Sequence, residues 1–350
     1  MTLVLFIDMD YFYAACEEAR HPEVKGKPVV VGTAPPNDKL RGVVQTCNYE
    51  ARKLGIHSAM PTSQAFKLDK NLVYFGDDYK YYGEMSEKVM ALLKAYGHRT
   101  EVVSIDEAAL DLGEMGYDGA RGQAEAIKKE IMAKFGLPCT IGISTGKIYA
   151  KMMCDESKPN GLGIIEEKDL KAFLKGKDVI RILGVGKKTA DRLNAMGIDT
   201  IGKLAKADPN VLIDNFGIFG KELYQLANGI DTSRVEDKYT ILSIGRERTL
   251  QKETTDMKVV ESMIKELAKE AIEELNRQHL WFKGISVKAK YTDFTDKIKN
   301  KQFNNYTDSL DLLTTEGVKL IRPLITDRAV RKVGIRVSSL AKREGQKKLS

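Results

Sequence analysis

The sequence predicts an α+β protein of several domains, and three observations predict it. A chain of 350 residues is long enough for more than one hydrophobic core. Up to about residue 165, short apolar runs alternate with stretches of helical period. From residue 244 the same two patterns return in the order β-α-β-β-α-β, after a stretch that reads as wholly helical.

Leu3-Val4-Leu5-Phe6-Ile7 is a buried-strand run that ends in Asp8-Met9-Asp10, with Tyr11, Phe12 and Tyr13 directly behind it. Tyr13 to Arg20 then reads as a helix. Pro28 to Thr33 and Gly42 to Cys47 read as strands joined by the turn-rich Ala34-Pro35-Pro36-Asn37-Asp38. Short helices follow at Tyr49 to Leu54 and Pro61 to Leu68. Asp78 to Tyr96 has helical period, with Met85, Val89, Leu92 and Leu93 on one side. Val103 to Leu112 reads as strand, tight break, strand, with the break at Asp106-Glu107. A strand running straight through would send one of these carboxylates into the core, whereas a bend lets both reach one rim. A helix from Ala120 to Phe135, a strand from Cys139 to Ser144, a helix from Lys147 to Cys154 and a strand from Leu162 to Ile165 complete this region.

Glu167 to Ser233 is the helical stretch. Within it Gly184-Val185-Gly186-Lys187-Lys188 is a glycine turn feeding a helix, whose outward N–H groups suit a phosphate. A weaker copy lies at Phe216 to Lys221, where an ordinary glycine-capped helix turn explains the pattern equally well. Arg234 to Ser243 is charged, lacks a period and reads as a tether. Beyond it come a strand (Ile244 to Leu250), a helix (Val259 to Asn276), strands at Ile285 to Tyr291 and Lys297 to Tyr306, a helix (Thr315 to Arg322) and a strand (Val330 to Ser338). Alternation in Ser286 to Lys290 and Lys332 to Val337 predicts a sheet with one apolar and one basic face.

Composition narrows the class. Hydrophobic residues make up 43% and charged residues 30% of the chain, no run is long enough to span a bilayer, and the first apolar run lacks a basic start and is cut by Asp8. Cys16, Cys47, Cys139 and Cys154 have no CxxC spacing and read as free thiols of a reducing compartment. The net charge is +7. From residue 240 on there are 23 basic and 15 acidic residues, against 33 and 34 before it, so the C-terminal third carries the positive surface a polyanion would seek.

The acidic strand ends carry the chemistry. Two carboxylates at a strand end suit a hard divalent cation such as Mg²⁺. Asp8 would join Asp106 and Glu107 if their strands are neighbours, and three carboxylates around two metals about 3.5–4 Å apart clamp an in-line phosphoryl transfer. Taken singly, Asp106-Glu107 is equally an ordinary polar turn, and Asp8-Met9-Asp10 is more commonly an ordinary polar strand end.

Four motifs taken together are more specific. Asp8-Met9-Asp10-Tyr11-Phe12-Tyr13, Asn48-Tyr49-Glu50-Ala51-Arg52, Ser104-Ile105-Asp106-Glu107 and Lys158-Pro159-Asn160-Gly161 resemble, in order and spacing, the Y-family translesion DNA polymerases, nearest the DNA polymerase IV branch of archaea and bacteria. The resemblance runs from Leu3 to about Leu340. It implies a ferredoxin-like palm (1–18 and 76–166), small fingers (19–75), a helix-hairpin-helix thumb (167–233), a linker (234–243), a little finger domain (244–340) and a tail (341–350).

The same resemblance implies template-directed, low-fidelity DNA synthesis with two Mg²⁺ ions on Asp8, Asp106, Glu107 and the Met9 carbonyl. Tyr11, Phe12, Tyr13, Thr46, Tyr49, Arg52 and Lys158 would surround the deoxynucleoside triphosphate, with Tyr13 as the gate against the ribose 2′-hydroxyl and Tyr49, Arg52 and Lys158 on the phosphates. Thr33, Val43 and Gln45 would roof the nascent pair, while Asp10 and Asp111 read as structural. Primer–template DNA would lie against Gly184, Gly186, Lys187, Lys188, Arg246, Arg248, Lys288, Lys290, Arg331, Lys332 and Arg336. No separate exonuclease motifs are present in the sequence, which implies synthesis without proofreading. A nucleotide cyclase would share the palm and its acidic pair, but not the thumb or the basic C-terminal third. A cytoplasmic, nucleoid-associated monomer is expected. Gln346 and Leu349 have the spacing of the first half of a sliding-clamp peptide, so a clamp partner is expected through a tail truncated before its aromatics.

Overall fold

The computed structural model describes residues 2–33, 42–237 and 240–343. The expected turn at Ala34 to Asp38 and the clamp signal at Gln346 and Leu349 lie outside the described residues. The chain forms two compact units, Met1–Tyr239 and Thr240–Ser350.

The first unit runs β1 (Val4–Met9), α1 (Phe12–Arg20), β2 (Val29–Gly32), β3 (Val44–Cys47), α2 (Tyr49–Lys53), α3 (Thr62–Leu68), β4 (Val73–Gly76) and α4 (Tyr79–Leu93). It continues with β5 (Arg99–Val102), β6 (Glu107–Asp111), α5 (Tyr117–Phe135), β7 (Cys139–Ser144), α6 (Lys147–Glu156) and β8 (Leu162–Ile164). The helices α7 (Glu167–Lys175), α8 (Lys187–Ala195), α9 (Ile201–Leu204), α10 (Pro209–Phe216) and α11 (Ile218–Ala227) follow.

The main sheet has the order β5-β6-β1-β7-β8, with β1 antiparallel to both β6 and β7. Its first four strands have the ferredoxin-like arrangement, because two helical crossovers separated by a hairpin put the first strand beside the third and fourth. Alternation along β1 serves two cores. Leu5, Ile7 and Met9 pack in the large core with residues of α1, α4 and α5, while Val4 and Phe6 face Ala150 and Cys154 of α6. Gly142 of β7 is what lets α6 lie against the sheet. A Cβ there would stand 2.1 Å from the Ala150 carbonyl oxygen and 2.3 Å from the Cys154 nitrogen.

A second, small sheet has the order β3-β2-β4. The sequence reading missed β4, which pairs in parallel with β2. All four cysteines are free, as the spacing predicted, and all four are buried. The helices α7 to α11 share a separate core with Tyr149 and Met152 of α6.

The expected tether is not loose where it leaves the helices. Val235 is buried beside Val4, Phe6 and Ala109. The Glu236 N–H donates to Glu101 Oε2 (3.1 Å), Asp237 Oδ1 accepts the Thr100 N–H (2.5 Å), and Lys147 binds both Glu101 and the Arg234 carbonyl. The stretch 234–237 therefore lies along the β5 edge. One apolar side chain among charges was too small a signal to predict this.

The second unit contains β9 (Ser243–Thr254), α12 (Met257–Arg277), β10 (Leu280–Tyr291), β11 (Asp296–Thr307), α13 (Leu310–Ile321), β12 (Val330–Ser338) and β13 (Ala341–Lys342). Its sheet order is β11-β10-β12-β9, with β13 on β10. Val287, Ala289, Val333, Ile335 and Val337 turn to the two helices and form the core. No helix among the described residues is long and apolar enough to cross a membrane.

Candidate active site

Directly opposed residues of an antiparallel pair point to the same face. Asp8 of β1 is opposite Glu107 of β6, so register alone brings these carboxylates together on the face that α6 covers. The bend lies earlier than predicted. The turn spans Val103 to Asp106, the N–H groups of Val103 and Ser104 donate to the Glu107 carbonyl, and Glu107 is already the first residue of β6. The Met9 N–H donates to the Asp106 carbonyl (2.9 Å), which ties the turn to the end of β1.

Asp106 sits in that turn. Its Oδ1 accepts the Ser104 hydroxyl at 2.6 Å. Among the described residues, no group of three or more acidic, histidine or cysteine side chains converges as a metal cage. The donors nevertheless fit a hard divalent cation. They are all oxygens, and burial followed by the nearby Asp8 raises the Glu107 carboxyl above its ordinary range despite the opposing Lys151. An anionic pair in that condition is short of positive charge.

Two lysines supply part of it. Lys158 Nζ lies 2.6 Å from Asp8 Oδ2. Lys151 of α6, which sequence reasoning missed, lies 2.5 Å from Glu107 and 3.5 Å from Asp8. Burial pulls both lysines down, yet both are held above their ordinary range by the carboxylates.

Asp10 is buried at 1% exposure. It accepts the Asn160 N–H at 2.7 Å, the Thr140 hydroxyl at 2.9 Å and, at 3.5 Å, the Tyr49 hydroxyl. It therefore links the Lys158–Gly161 turn to the start of α2, which agrees with its structural reading. Lys128 braces the same turn through the carbonyls of Cys139 and Asn160. Burial, more than the bonds from Asn160 and Thr140 can offset, raises the Asp10 carboxyl.

Asn48 caps α2 by accepting the Ala51 N–H (3.0 Å). The helical spacing then puts the Arg52 guanidinium over the Tyr49 ring, 4.9 Å from its centroid, so both residues share one side as predicted. Burial, then Asp10, pushes the Tyr49 hydroxyl up to about 12. Tyr11 turns the corner from β1 to α1 in the left-handed region (φ 39°) and meets Tyr49 edge-on at 5.3 Å. Tyr13 stacks on Tyr82 at 4.5 Å and meets Tyr79 edge-on at 6.1 Å. Phe12 follows Tyr11 as the first residue of α1. It is 2% exposed within the core, so its ring is unavailable to a ligand. Thr46 is half-buried on β3. Of the positions expected to form the roof, Thr33 accepts the Val43 N–H (3.2 Å), and Gln45 reaches Tyr79 and Asp77 across the gap between β3 and α4.

The glycine turn is arranged as predicted. Gly186 caps α8 in extended backbone, and Gly184, Gly186, Lys187 and Lys188 are exposed. Gly184 needs its φ of +92°, which glycine alone adopts readily. Phe219, from the weaker copy, packs against it.

In the second unit, Lys288, Lys290, Lys332 and Arg336 lie on the open face of the sheet together with Glu247 and Asp296. Glu247 lies 3.0 Å from Lys288 and 3.3 Å from Lys332, so the face is basic but partly neutralised. Arg331 sits at the irregularity beside Val330, near Glu253 (3.6 Å) and Phe294. Arg246 and Arg248 depart from the expectation. They are opposite Ile335 and Val333, on the helix-covered face, and pair with Glu274 and with Glu266 and Glu270 of α12.

The chain is similar to known proteins along nearly its whole length. Residues 7–155 match the model of the impB/mucB/samB family, residues 242–350 its C-terminal domain, and residues 182–231 the DNA polymerase-iota thumb domain. The chain is 38% identical to DNA polymerase IV of Methanoculleus marisnigri, over 97% of this chain and 94% of that one. It is 37% identical to DNA polymerase IV of Lactococcus lactis, over 96% and 93%. Among solved structures it is similar to the Y-family DNA polymerase chimera Dbh-Dpo4(243-245)-Dbh, with a TM-score of 0.90 and 34% identity over 97% and 99% of the two chains. It is also similar to an insertion ternary complex of Dbh DNA polymerase, with a TM-score of 0.69 and 34% identity over 97% and 99%.

Proposed function

The chain belongs to the impB/mucB/samB family of Y-family DNA polymerases, and from that premise we propose how its residues divide the work of a translesion, DNA-directed DNA polymerase. The observation that carries the reading is the register of β1 on β6, which sets Asp8 against Glu107 beside Lys158, next to the turn that holds Asp106.

Nucleotidyl transfer develops charge on phosphate oxygens and pyrophosphate, so catalysis is mainly positioning and electrostatic stabilisation. Asp8, Asp106, Glu107 and the Met9 carbonyl would hold the two Mg²⁺ ions. When bound, such ions activate the primer 3′-hydroxyl and stabilise charge on the attacking and leaving oxygens. Tyr49, Arg52 and Lys158 hold the triphosphate, and Asp10 keeps the elements that carry Tyr49 and Lys158 in register. Tyr13, backed by Tyr82, is the floor under the sugar and leaves no room for a 2′-hydroxyl, the group that separates RNA from DNA units.

Gly184, Gly186, Lys187 and Lys188 take backbone phosphates at the α8 N-terminus. Lys288, Lys290, Arg331, Lys332 and Arg336 face the duplex, whereas Arg246 and Arg248 serve chiefly to fasten α12 to its sheet. Synthesis is of low fidelity and without proofreading, by a monomer among nucleoid DNA, with a sliding clamp as a partner. Primer extension with Mg²⁺ and the four deoxynucleotides on a recessed primer–template tests the whole reading, since a nucleotide cyclase or a DNA-binding scaffold would leave the primer unextended.

A further inference from the structure

Lys151 is the most heavily engaged cation of the site. Its Nζ lies 2.5 Å from Glu107 Oε1, 3.1 Å from Asp155 Oδ1 and 3.5 Å from Asp8 Oδ2, with the Phe6 ring 5.1 Å away. Lys158 shares two of these partners, Asp8 at 2.6 Å and Asp155 at 3.6 Å. Two ammonium groups are thus set among three carboxylates. The position is built in, because α6 lies directly against β7 over Gly142 and carries Lys151 on the turn between Ala150 and Cys154. The Lys151 side chain is 14% exposed, so water screens it little.

A fixed positive charge that occupies oxygens of Asp8 and Glu107 acts on any further cation that needs the same oxygens. It repels that cation and competes for its ligands, while removing much of the mutual repulsion of the carboxylates. We propose that Lys151 is a positioning residue that sets the divalent-cation affinity of the polymerase site, holding Asp8 and Glu107 together as a built-in counter-ion and keeping their grip on the cation weak. The inference rests on Asp8 and Glu107 being metal-holding residues.

The test is Mn²⁺ binding to the full, DNA-free chain, read from the loss of the free-ion electron paramagnetic resonance signal, with melting temperature followed alongside. Lys151→Met should bind Mn²⁺ about tenfold more tightly than the parent, about 1.4 kcal/mol. It should melt lower without divalent cation and recover more on adding Mg²⁺ than the parent gains. Lys151→Arg, which keeps the charge, should bind as the parent does. Lys151→Gln should behave as Lys151→Met, and it carries the test if the methionine variant does not fold. Unchanged or weaker Mn²⁺ binding by a folded neutral variant overturns the proposal, as does equal tightening in Lys151→Arg. Asp8→Asn and Glu107→Gln separate the two levels of the argument. If they weaken Mn²⁺ binding while the Lys151 variants leave it unchanged, the role of Lys151 fails alone. If neither carboxylate variant weakens it, the metal assignment beneath the proposal fails.

Discussion

Replacing Asp10 by Ala removes the acceptor that joins the Lys158–Gly161 turn to Tyr49. The Asn160 N–H and the Thr140 hydroxyl, at 2.7 and 2.9 Å, lose a carboxylate partner, and Thr140 is itself fully buried. Hydrogen bonds to a charged group contribute roughly 1.5–3 kcal/mol each. The Tyr49 contact, at 3.5 Å, is too long to add much. Against this gross gain stands the desolvation of Asp10, strong enough to raise its carboxyl. The net loss of folding stability should therefore be about 1–3 kcal/mol, the usual range for stranding a buried donor. Freed from that tie, Lys158 and Tyr49 should hold the triphosphate less well. The KM for the incoming nucleotide should rise about tenfold, equivalent to about 1.4 kcal/mol, with a smaller change in kcat. The assay is single-nucleotide incorporation as a function of nucleotide concentration, with urea unfolding in parallel. An unchanged KM in a folded Asp10→Ala protein would refute the reasoning.

Three further outcomes follow from the same geometry. Tyr13→Ala should admit ribonucleotides while deoxynucleotide incorporation persists, and an unchanged ribo-to-deoxy ratio in single-turnover kinetics would return Tyr13 to a packing role. Burial raises all four thiols, Cys16 and Cys139 to about 12, so an aromatic disulfide reagent should label none in the native chain at mildly alkaline pH and four after unfolding. Arg336→Ala should weaken duplex binding and reduce its salt slope by about one, whereas Arg248→Ala, spent on α12, should leave that slope unchanged. Equal effects on a salt titration would contradict the face assignment.

The sequence made the strand ends and the long helices legible because their signals are local. The acidic termini and the alternation of Val333, Ile335 and Val337 are each read within a few residues. What it hid depends on partners far along the chain. The bend lies earlier than Asp106-Glu107, because only the pairing of Glu107 with Asp8 fixes where β6 begins. The short β4 gains its identity from a parallel partner more than 40 residues away. Lys151 looks like the solvent side of an amphipathic helix until α6 crosses the sheet. Along β9, Arg246, Glu247 and Arg248 are charged in succession, so polarity alone assigns no face, and only the register shows that the arginines turn to α12.

The most direct measurement is primer extension on a gel, with Mg²⁺, four deoxynucleotides and a recessed primer–template, comparing the parent chain with Asp106→Ala and Glu107→Ala. DNA binding is followed on the same duplex. Carboxylates that serve the chemistry rather than the fold should give full extension by the parent, none by either variant, and duplex affinity preserved in all three. Substantial synthesis by folded Asp106→Ala would contradict the account at its centre.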